Sequence, residues 1–468
     1  MSAEGKVRWV GDERHALIPA CMIAALIVLL IAPDGFNYAI LLDGPAPAAG
    51  GLLSRALWLG LLAAAGAVIA WRASLSWQLL RSLNPFLLLF AALAVASIVW
   101  SIEPEVTVRR DIRLVTILAV CFAFCLAGWH ARRFQSVVRP VLTMVLLGSI
   151  VFGLISPGLA IHQELAPELV GAWRGLANHK NTFGAIAGIA LVLWLQGWLT
   201  SEVRLSRALL GCALAGGCLW LSRSSTAVIS AVAAIVFLFL LLRAPRGAQA
   251  YLKYAVALTV LVLVVYAVAI LRLIPGSNLL LAPITMLTGM DGTFTGRSEI
   301  WAIIVERFHF NPLLGVGYGA YWIGPVTQSP SYEFIWRMGS FYPGSAHNGY
   351  LDVANDLGWA GLVCLLGYIA VHLRQSLRAL AVDRAQGALF LALFVQQAMV
   401  NLAESHWFSV LSLQFMLMTL ATMAVARLTL ELKLRARFGE PLRQAPPPAA
   451  ALGGVPVTLA VAADAGRG

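Results

Sequence analysis

Arg223 lies between hydroxyls in Leu221-Ser-Arg-Ser-Ser225, a short turn pressed between two long apolar blocks. A guanidinium there, with Ser222, Ser224 and Ser225 beside it, suits bidentate capture of an oxyanion. Arg297 opens a predicted helix in Thr295-Gly-Arg-Ser-Glu299. A cation at a helix N-terminus opposes the macrodipole and gives the helix nothing. Among free backbone N–H groups, however, it makes an anion site whose natural guest is phosphate or pyrophosphate. His347 stands at the start of Ala346-His-Asn-Gly-Tyr-Leu-Asp-Val-Ala-Asn-Asp356, with Asp352 and Asp356 one helical turn apart. An imidazole titrates close to working pH and is a candidate general base. Carboxylates that deep in an apolar helix usually face a cavity or a partner. The plainer alternatives are Arg297 paired with Glu299 and His347 as an interfacial cap.

Other patterns carry less. Gly315-Val-Gly-Tyr-Gly-Ala320 fits the dinucleotide spacing G-x-G-x-x-A, but it follows a helix and an Asn311-Pro312 turn, with no strand before it. A tight loop lining a site is the better reading. There is no HExxH, P-loop or Cys₄ pattern, so neither a metal nor a cofactor is expected. The six cysteines all lie inside apolar blocks and read as small buried thiols. His162, His309 and His406 show no comparable neighbourhood, and Gln396, Gln397 and Asn401 read as polar glue between helices.

The elements that hold these residues follow from composition. Of the 468 residues, 60% are hydrophobic and 12% charged, and the mean hydropathy is +0.82. Soluble domains carry about 25% charged residues, so a soluble enzyme, a disordered chain and a secreted disulfide scaffold are excluded. The net charge of +11 does not indicate nucleic acid, because the basic residues sit mainly in short loops between apolar blocks. Twelve blocks read as transmembrane helices: 16–32, 52–71, 84–100, 113–130, 138–156, 183–200, 207–221, 225–242, 252–271, 349–373, 386–403 and 407–427. The first resembles a signal sequence that is not cleaved. The seventh is short, carries Gly216 and Gly217, and is a candidate broken or tilted span.

With the N-terminus inside, 22 of the 33 Lys and Arg fall in inner segments and ten in outer ones. The positive-inside rule then makes both termini cytoplasmic. The ten exceptions are Arg109, Arg110, Arg113, Arg174, Lys180, Arg223, Arg272, Arg297, Arg307 and Arg337. One outer segment, about 272–347 between spans nine and ten, is far longer than an ordinary loop. It contains an amphipathic stretch from Arg297, with Ile300, Ile304 and Phe308 beside Trp301 and Val305. Residues 1–437 form the membrane domain, and 438–468 are an Ala/Pro-rich tail expected to be disordered.

Three stretches together resemble the O-antigen ligase and Wzy-type polysaccharide polymerase superfamily. They are Trp173-Arg-Gly-Leu-Ala-Asn-His-Lys-Asn-Thr-Phe-Gly184, the Leu221–Ser225 turn, and Thr295-Gly-Arg-Ser-Glu-Ile-Trp301 followed by Asn311-Pro-Leu-Leu-Gly-Val-Gly317 and Ala346-His-Asn-Gly-Tyr-Leu351. The resemblance covers residues 80–425 and implies an all-α polytopic glycosyltransferase of the GT-C type. It also implies a bacterial inner-membrane location, a periplasmic active site and a glycan on undecaprenyl pyrophosphate as donor. Arg223 and Arg297 would hold the pyrophosphate, and His347 would assist the acceptor hydroxyl. Arg174, Lys180, Asn181, Asn348 and Asp352 become candidate substrate-binding residues.

The first stretch is most similar to exopolysaccharide polymerases of the ExoQ kind, for which a chain-length regulator is a possible partner. An O-antigen ligase, with lipid A–core as acceptor, is the close alternative. A transporter or flippase fits less well, since no internal repeat is visible and the polar outliers gather on the outer side. An envelope scaffold leaves the three outliers unexplained.

Overall fold

A computed structural model of the chain describes residues 16–33, 36, 38, 51–163, 169–270, 276–277, 296–308, 311–324, 327, 329–339 and 342–438. Each of the twelve apolar blocks carries a helix, and among the described residues two further segments form α-helices of eight or more residues. In chain order they are α1 (Leu17–Ile31), α2 (Leu52–Trp71), α3 (Ala73–Leu80), α4 (Pro85–Ala96), α5 (Pro104–Leu126), α6 (Arg133–Ile155) and α7 (Lys180–Leu199). There follow α8 (Leu205–Leu221), α9 (Ser225–Arg243), α10 (Leu252–Ile270), α11 (Arg297–Phe308), α12 (Gly349–Val382), α13 (Arg384–Val400) and α14 (Leu413–Phe438). Among the described residues, β structure is limited to one bridge between Ile161 and Trp173.

Seven of these helices (α2, α6, α7, α9, α10, α12 and α14) are long and apolar enough to cross a membrane by themselves. The protein is an all-α polytopic membrane protein. The block expected at 84–100 is not a lone straight span: α3 precedes α4 at a bend of 100°. Asn84 makes that corner. Its Oδ1 accepts the Phe86 N–H at 3.1 Å, and Pro85 occupies the first helical position. Its Nδ2 donates to the Tyr368 carbonyl on α12 at 2.9 Å, which pins the bend to the body. The suspected break in α8 does not occur, and the helix runs unbroken through Gly216 and Gly217. The expected disorder of the tail falls on 439–468, outside the described residues.

In α14, 94% of the spanning window is buried, against 17% in α10, so α14 is central and α10 peripheral. Around the centre, α7 packs on α8 and α9, α9 on α13, α13 on α12, and α12 on α4. Small residues allow the closest approaches. A Cβ on Gly184 would stand 2.7 Å from Ser222 Oγ and 2.9 Å from Ala227 Cβ, so α7 can seat against the α8–α9 turn only with glycine there.

The second device is a break in α12. Gly358 has φ 61 and ψ −153, a conformation closed to other residues. Surrounded by apolar groups, a broken helix must find other partners for its backbone. Residues 311–317 supply them. Trp359 N–H donates to the Pro312 carbonyl (2.8 Å) and Ala360 N–H to Leu313 (3.1 Å), while Val316 and Gly317 N–H donate to the Asn355 and Asp356 carbonyls (3.1 and 2.9 Å). The Asn311–Gly317 stretch is therefore stitched into α12 on the side that carries Asp352 and Asp356.

Candidate active site

The N-terminal ends of α7, α11 and α12 meet the loop 401–412 that follows α13. Asn401 organises this loop, its Oδ1 accepting the His406 and Trp407 N–H groups at 2.9 and 2.7 Å. The Gly349 N–H, first in α12, donates to the Asn401 and Glu404 carbonyls at 2.9 and 3.1 Å. Asn348 Oδ1 takes the next two N–H groups, those of Tyr350 and Leu351, at 3.1 and 3.2 Å. Asn348 is thus the helix cap, and His347, at φ 47, projects from just outside it.

Glu404 joins the site together. Its Oε1 accepts from Arg297 Nη2 at 2.9 Å and from Asn181 Nδ2 at 2.5 Å. Its Oε2 lies 3.2 Å from His347 Nδ1. Because an ionised carboxylate has no proton to give, His347 Nδ1–H is the donor. In the neutral ring Nε2 then carries the lone pair, and it makes no hydrogen bond among the described residues. Burial by itself would push the Glu404 carboxyl up, but the charges of His347 and Arg297 outweigh it and hold the group well below the usual carboxylate range. The neighbouring histidines behave differently. Burial lowers His179 and His406 to about 4 each, against the opposing pull of Glu404. Both are neutral at physiological pH. His406 does lie near the site, contrary to the sequence reading.

α11 positions Arg297. Its buried face is Ile300, Trp301, Ile303 and Ile304, which pack with Tyr321, Trp322, Phe334, Ala346 and Leu402. The expected stripe included Val305, but that residue is exposed. With Ile303 in the contact, the 3.6-residue period turns Val305 out of the buried arc. The Arg297 side chain starts the helix as expected, yet its partner is Glu404 and not Glu299.

The other sequence candidates divide. Arg223 closes the α8–α9 turn at φ 49 and donates from Nη1 to the Val170 carbonyl at 2.8 Å. Among the described residues no contact joins it to Arg297 or His347. Two of its flanking hydroxyls are already engaged: Ser222 Oγ donates to the Leu219 carbonyl at 2.6 Å, and Ser224 Oγ caps α9 at Ala227. Arg174 is buried and donates from Nε to the Leu159 carbonyl at 2.8 Å. Lys180 begins α7, its N–H donating to His162 Nε2 at 3.1 Å, so His162 also has a structural role here. Asp352 Oδ1 accepts from Trp322 Nε1 at 2.8 Å and, with Oδ2, from the Ala346 N–H at 3.2 Å.

Asp356 Oδ2 accepts the Gly319 N–H at 2.9 Å, so the glycine-rich 315–320 segment is a tight loop clamped by α12. Arg307 pairs with Glu333 and Arg337 with Glu306, and Arg110 donates to the Trp322 carbonyl. Those cations are accounted for by structure. Arg272 and His309 lie outside the described residues. A cavity of about 220 Å³ opens beside the cluster, lined by Glu404, Ser405, His406, Asp352, Asp356 and Arg110 among others. Glu404 lines it and also contacts His347 and Arg297.

The model of the family described as O-antigen ligase matches residues 210–366, which run from α8 past the break in α12 and include Arg223, Arg297 and His347. Residues 210–366 carry the O-antigen ligase family signature. The chain is also 27% identical over 306 residues to the exopolysaccharide production protein ExoQ of Rhizobium meliloti (strain 1021), covering 63% of this chain and 66% of that protein, just under two thirds of its length. The family to which the sequence motifs pointed is the one found, both as O-antigen ligase and as ExoQ-like. Glu404, Arg174, Lys180 and Asn181 lie outside the family-matched residues.

Glu404 is the functional candidate that sequence reasoning missed. It stands in Ala403-Glu-Ser-His-Trp407, whose residues 404–406 separate the spans expected at 386–403 and 407–427. The available signal was its composition: an acid and a histidine between two apolar blocks, close behind Asn401.

Proposed function

We propose that the protein is a metal-independent glycosyltransferase of the bacterial inner membrane. In this reading it joins oligosaccharide repeat units carried on undecaprenyl pyrophosphate into exopolysaccharide or O-antigen. One observation carries the proposal: Arg297 and His347, a pyrophosphate-type cation and a base with a free Nε2, meet on one carboxylate beside a cavity. The acceptor hydroxyl oxygen attacks the anomeric carbon, and the bond from that carbon to the pyrophosphate oxygen breaks. The electron pair leaves on the lipid pyrophosphate, where Arg297 stabilises it, while Arg223 helps to hold the bound donor. The hydroxyl proton passes to His347 Nε2. The donor brings its own leaving group, so the protein needs fixed cations and a base, and the positions of both support the proposal.

A periplasmic site and cytoplasmic termini are supported by the charge bias, since the cluster is built from segments that hold the ten disfavoured cations. Metal independence belongs to the same reading, because a guanidinium at the departing pyrophosphate supplies the positive charge that a metal ion would otherwise supply. The likeness to an exopolysaccharide production protein favours polymerisation, and a chain-length regulator is part of the proposal as a partner. The family description favours a second reading, transfer of finished chains to lipid A–core.

Deletion of the gene separates them. Loss of a polymerase leaves single repeats on the lipid carrier and an unchanged lipid A–core profile, which is the expected result. Long carrier-linked chains with bare lipid A–core would establish the ligase instead.

A further inference from the structure

Glu404 occupies Arg297 and His347 simultaneously, although in the proposed reaction the two have different tasks. The side chains of Glu404, Arg297 and His347 are 13%, 19% and 25% exposed, so the cluster is withdrawn from bulk water but open to a ligand. An arriving pyrophosphate presents more charge and more acceptor oxygens to a guanidinium than one carboxylate does. Asn181 and His347 remain to hold Glu404 if Arg297 leaves.

We propose that Glu404 is a positioning residue that Arg297 and His347 share only in the empty site. Donor pyrophosphate takes Arg297 away from Oε1. Glu404 then remains on His347 Nδ1, which fixes the ring with Nε2 turned to the acceptor. This rests on the glycosyltransferase reading above. The device couples the two substrates: the carboxylate that orients the base is relieved of its competing cation only when donor is present. In the transfer step the acceptor O–H proton goes to Nε2, the new C–O bond forms as the bond to pyrophosphate breaks, and the imidazolium is stabilised by Glu404. The roles resemble those of the carboxylate and histidine in a hydrolase triad.

The groups around His347 and its neighbours are Glu404 and His406 from the 401–412 loop, Arg297 from α11, His179 and Lys180 at the start of α7, and Asp352 on α12. With His179 and His406 neutral, Glu404 is the anion in direct contact with the imidazole, so its charge should govern the acid limb of the reaction.

The test uses the full-length protein in lipid nanodiscs with two variants, Glu404→Gln and Glu404→Asp. Inorganic pyrophosphate is the binding probe, read by thermal shift. Glu404→Gln should bind it about tenfold more tightly than wild type, the equivalent of one charge-assisted hydrogen bond no longer broken. Arg297→Ala should remove the difference between Glu404→Gln and wild type. With lipid-linked donor, Glu404→Gln should lose about 100-fold or more in kcat. Its acid limb should move to lower pH by about one unit, because the imidazolium has lost its anionic partner. Glu404→Asp keeps the charge and should leave the limb in place even if its rate is low.

Equal or weaker pyrophosphate binding in Glu404→Gln, or no binding in either protein, overturns the displacement. An unmoved acid limb in Glu404→Gln, with wild type active, overturns this inference alone. Wild-type protein that binds pyrophosphate but transfers no sugar overturns the glycosyltransferase reading and this inference with it.

Discussion

The Trp301 indole N–H donates to the Ala346 carbonyl at 2.9 Å, linking the buried face of α11 to the residue before His347. One hydrogen bond across 45 residues of sequence thus ties the helix that carries Arg297 to the segment that carries the base. Their spacing is set by this bond and by the shared apolar cluster, independently of Glu404.

Trp301→Phe tests that link. The aromatic volume stays in the cluster while the donor is lost, leaving a buried carbonyl unsatisfied at a cost of about 1–3 kcal/mol. The expected result is a lower melting temperature together with a fall in kcat. A variant that melts earlier but turns over normally would show that the bond supports the fold and not the site.

Orientation can be read with fusions. A reporter placed after Gly339, in the connection between α10 and α12, should be periplasmic, and one after Arg378 cytoplasmic. The opposite pair would reverse the assignment of sides and move the site to the cytoplasm.

The pH dependence of stability has a definite sign. His179 and His406 are lowered from 6.5 to about 4 in the folded protein. Between those values the unfolded chain binds more protons than the folded one, so stability falls as pH drops from 6.5 towards 4. Melting curves should shift down through that window. His179→Asn should flatten the slope, because asparagine can still cap α7 as His179 Nδ1 does for the Asn181 N–H, but it does not titrate. An unchanged slope would remove His179 as a contributor.

The legible part of the site is the part that violates a local rule. Arg297 at a helix start, Arg223 in a turn on the basic-poor side and His347 beside deep carboxylates each contradict what their surroundings favour, and two of the three converge. Glu404 breaks no rule by itself: an acid in a loop on the outer side is ordinary. Its role depends on partners 57 and 107 residues away, which no short motif records. The helices were visible for a similar reason, since lipid imposes length and apolarity on every span. The α3–α4 bend and the Gly358 break were not, because both depend on partners (the Tyr368 carbonyl and the 311–317 loop) that only the folded chain brings near.

Chelation provides a direct check on the chemistry. Purified protein treated with EDTA should keep its transfer rate, because in the proposed step Arg297 supplies the charge that a metal ion would otherwise bring to the pyrophosphate. Loss of activity that returns on adding one divalent ion would require a metal in the mechanism.

Arg297 and Arg223 should differ in how they fail. Arg297→Lys keeps the positive charge but gives up the planar fork, which serves Glu404 in the empty site and pyrophosphate in the proposed complex. It should lose most of the activity, and Arg297→Ala nearly all of it. Arg223 donates to a backbone carbonyl at Val170 and, among the described residues, makes no contact with the Glu404 cluster, so Arg223→Lys should be milder. The measurement is transfer from lipid-linked donor at equal membrane abundance, with KM for the donor separated from kcat. Arg223→Lys should raise KM with kcat little changed, because a cation away from the base contributes uniform binding. Arg297→Lys should lower kcat, because the charge it meets grows as pyrophosphate departs. The reverse pattern would place Arg223 at the reacting bond and leave Arg297 a structural partner of Glu404.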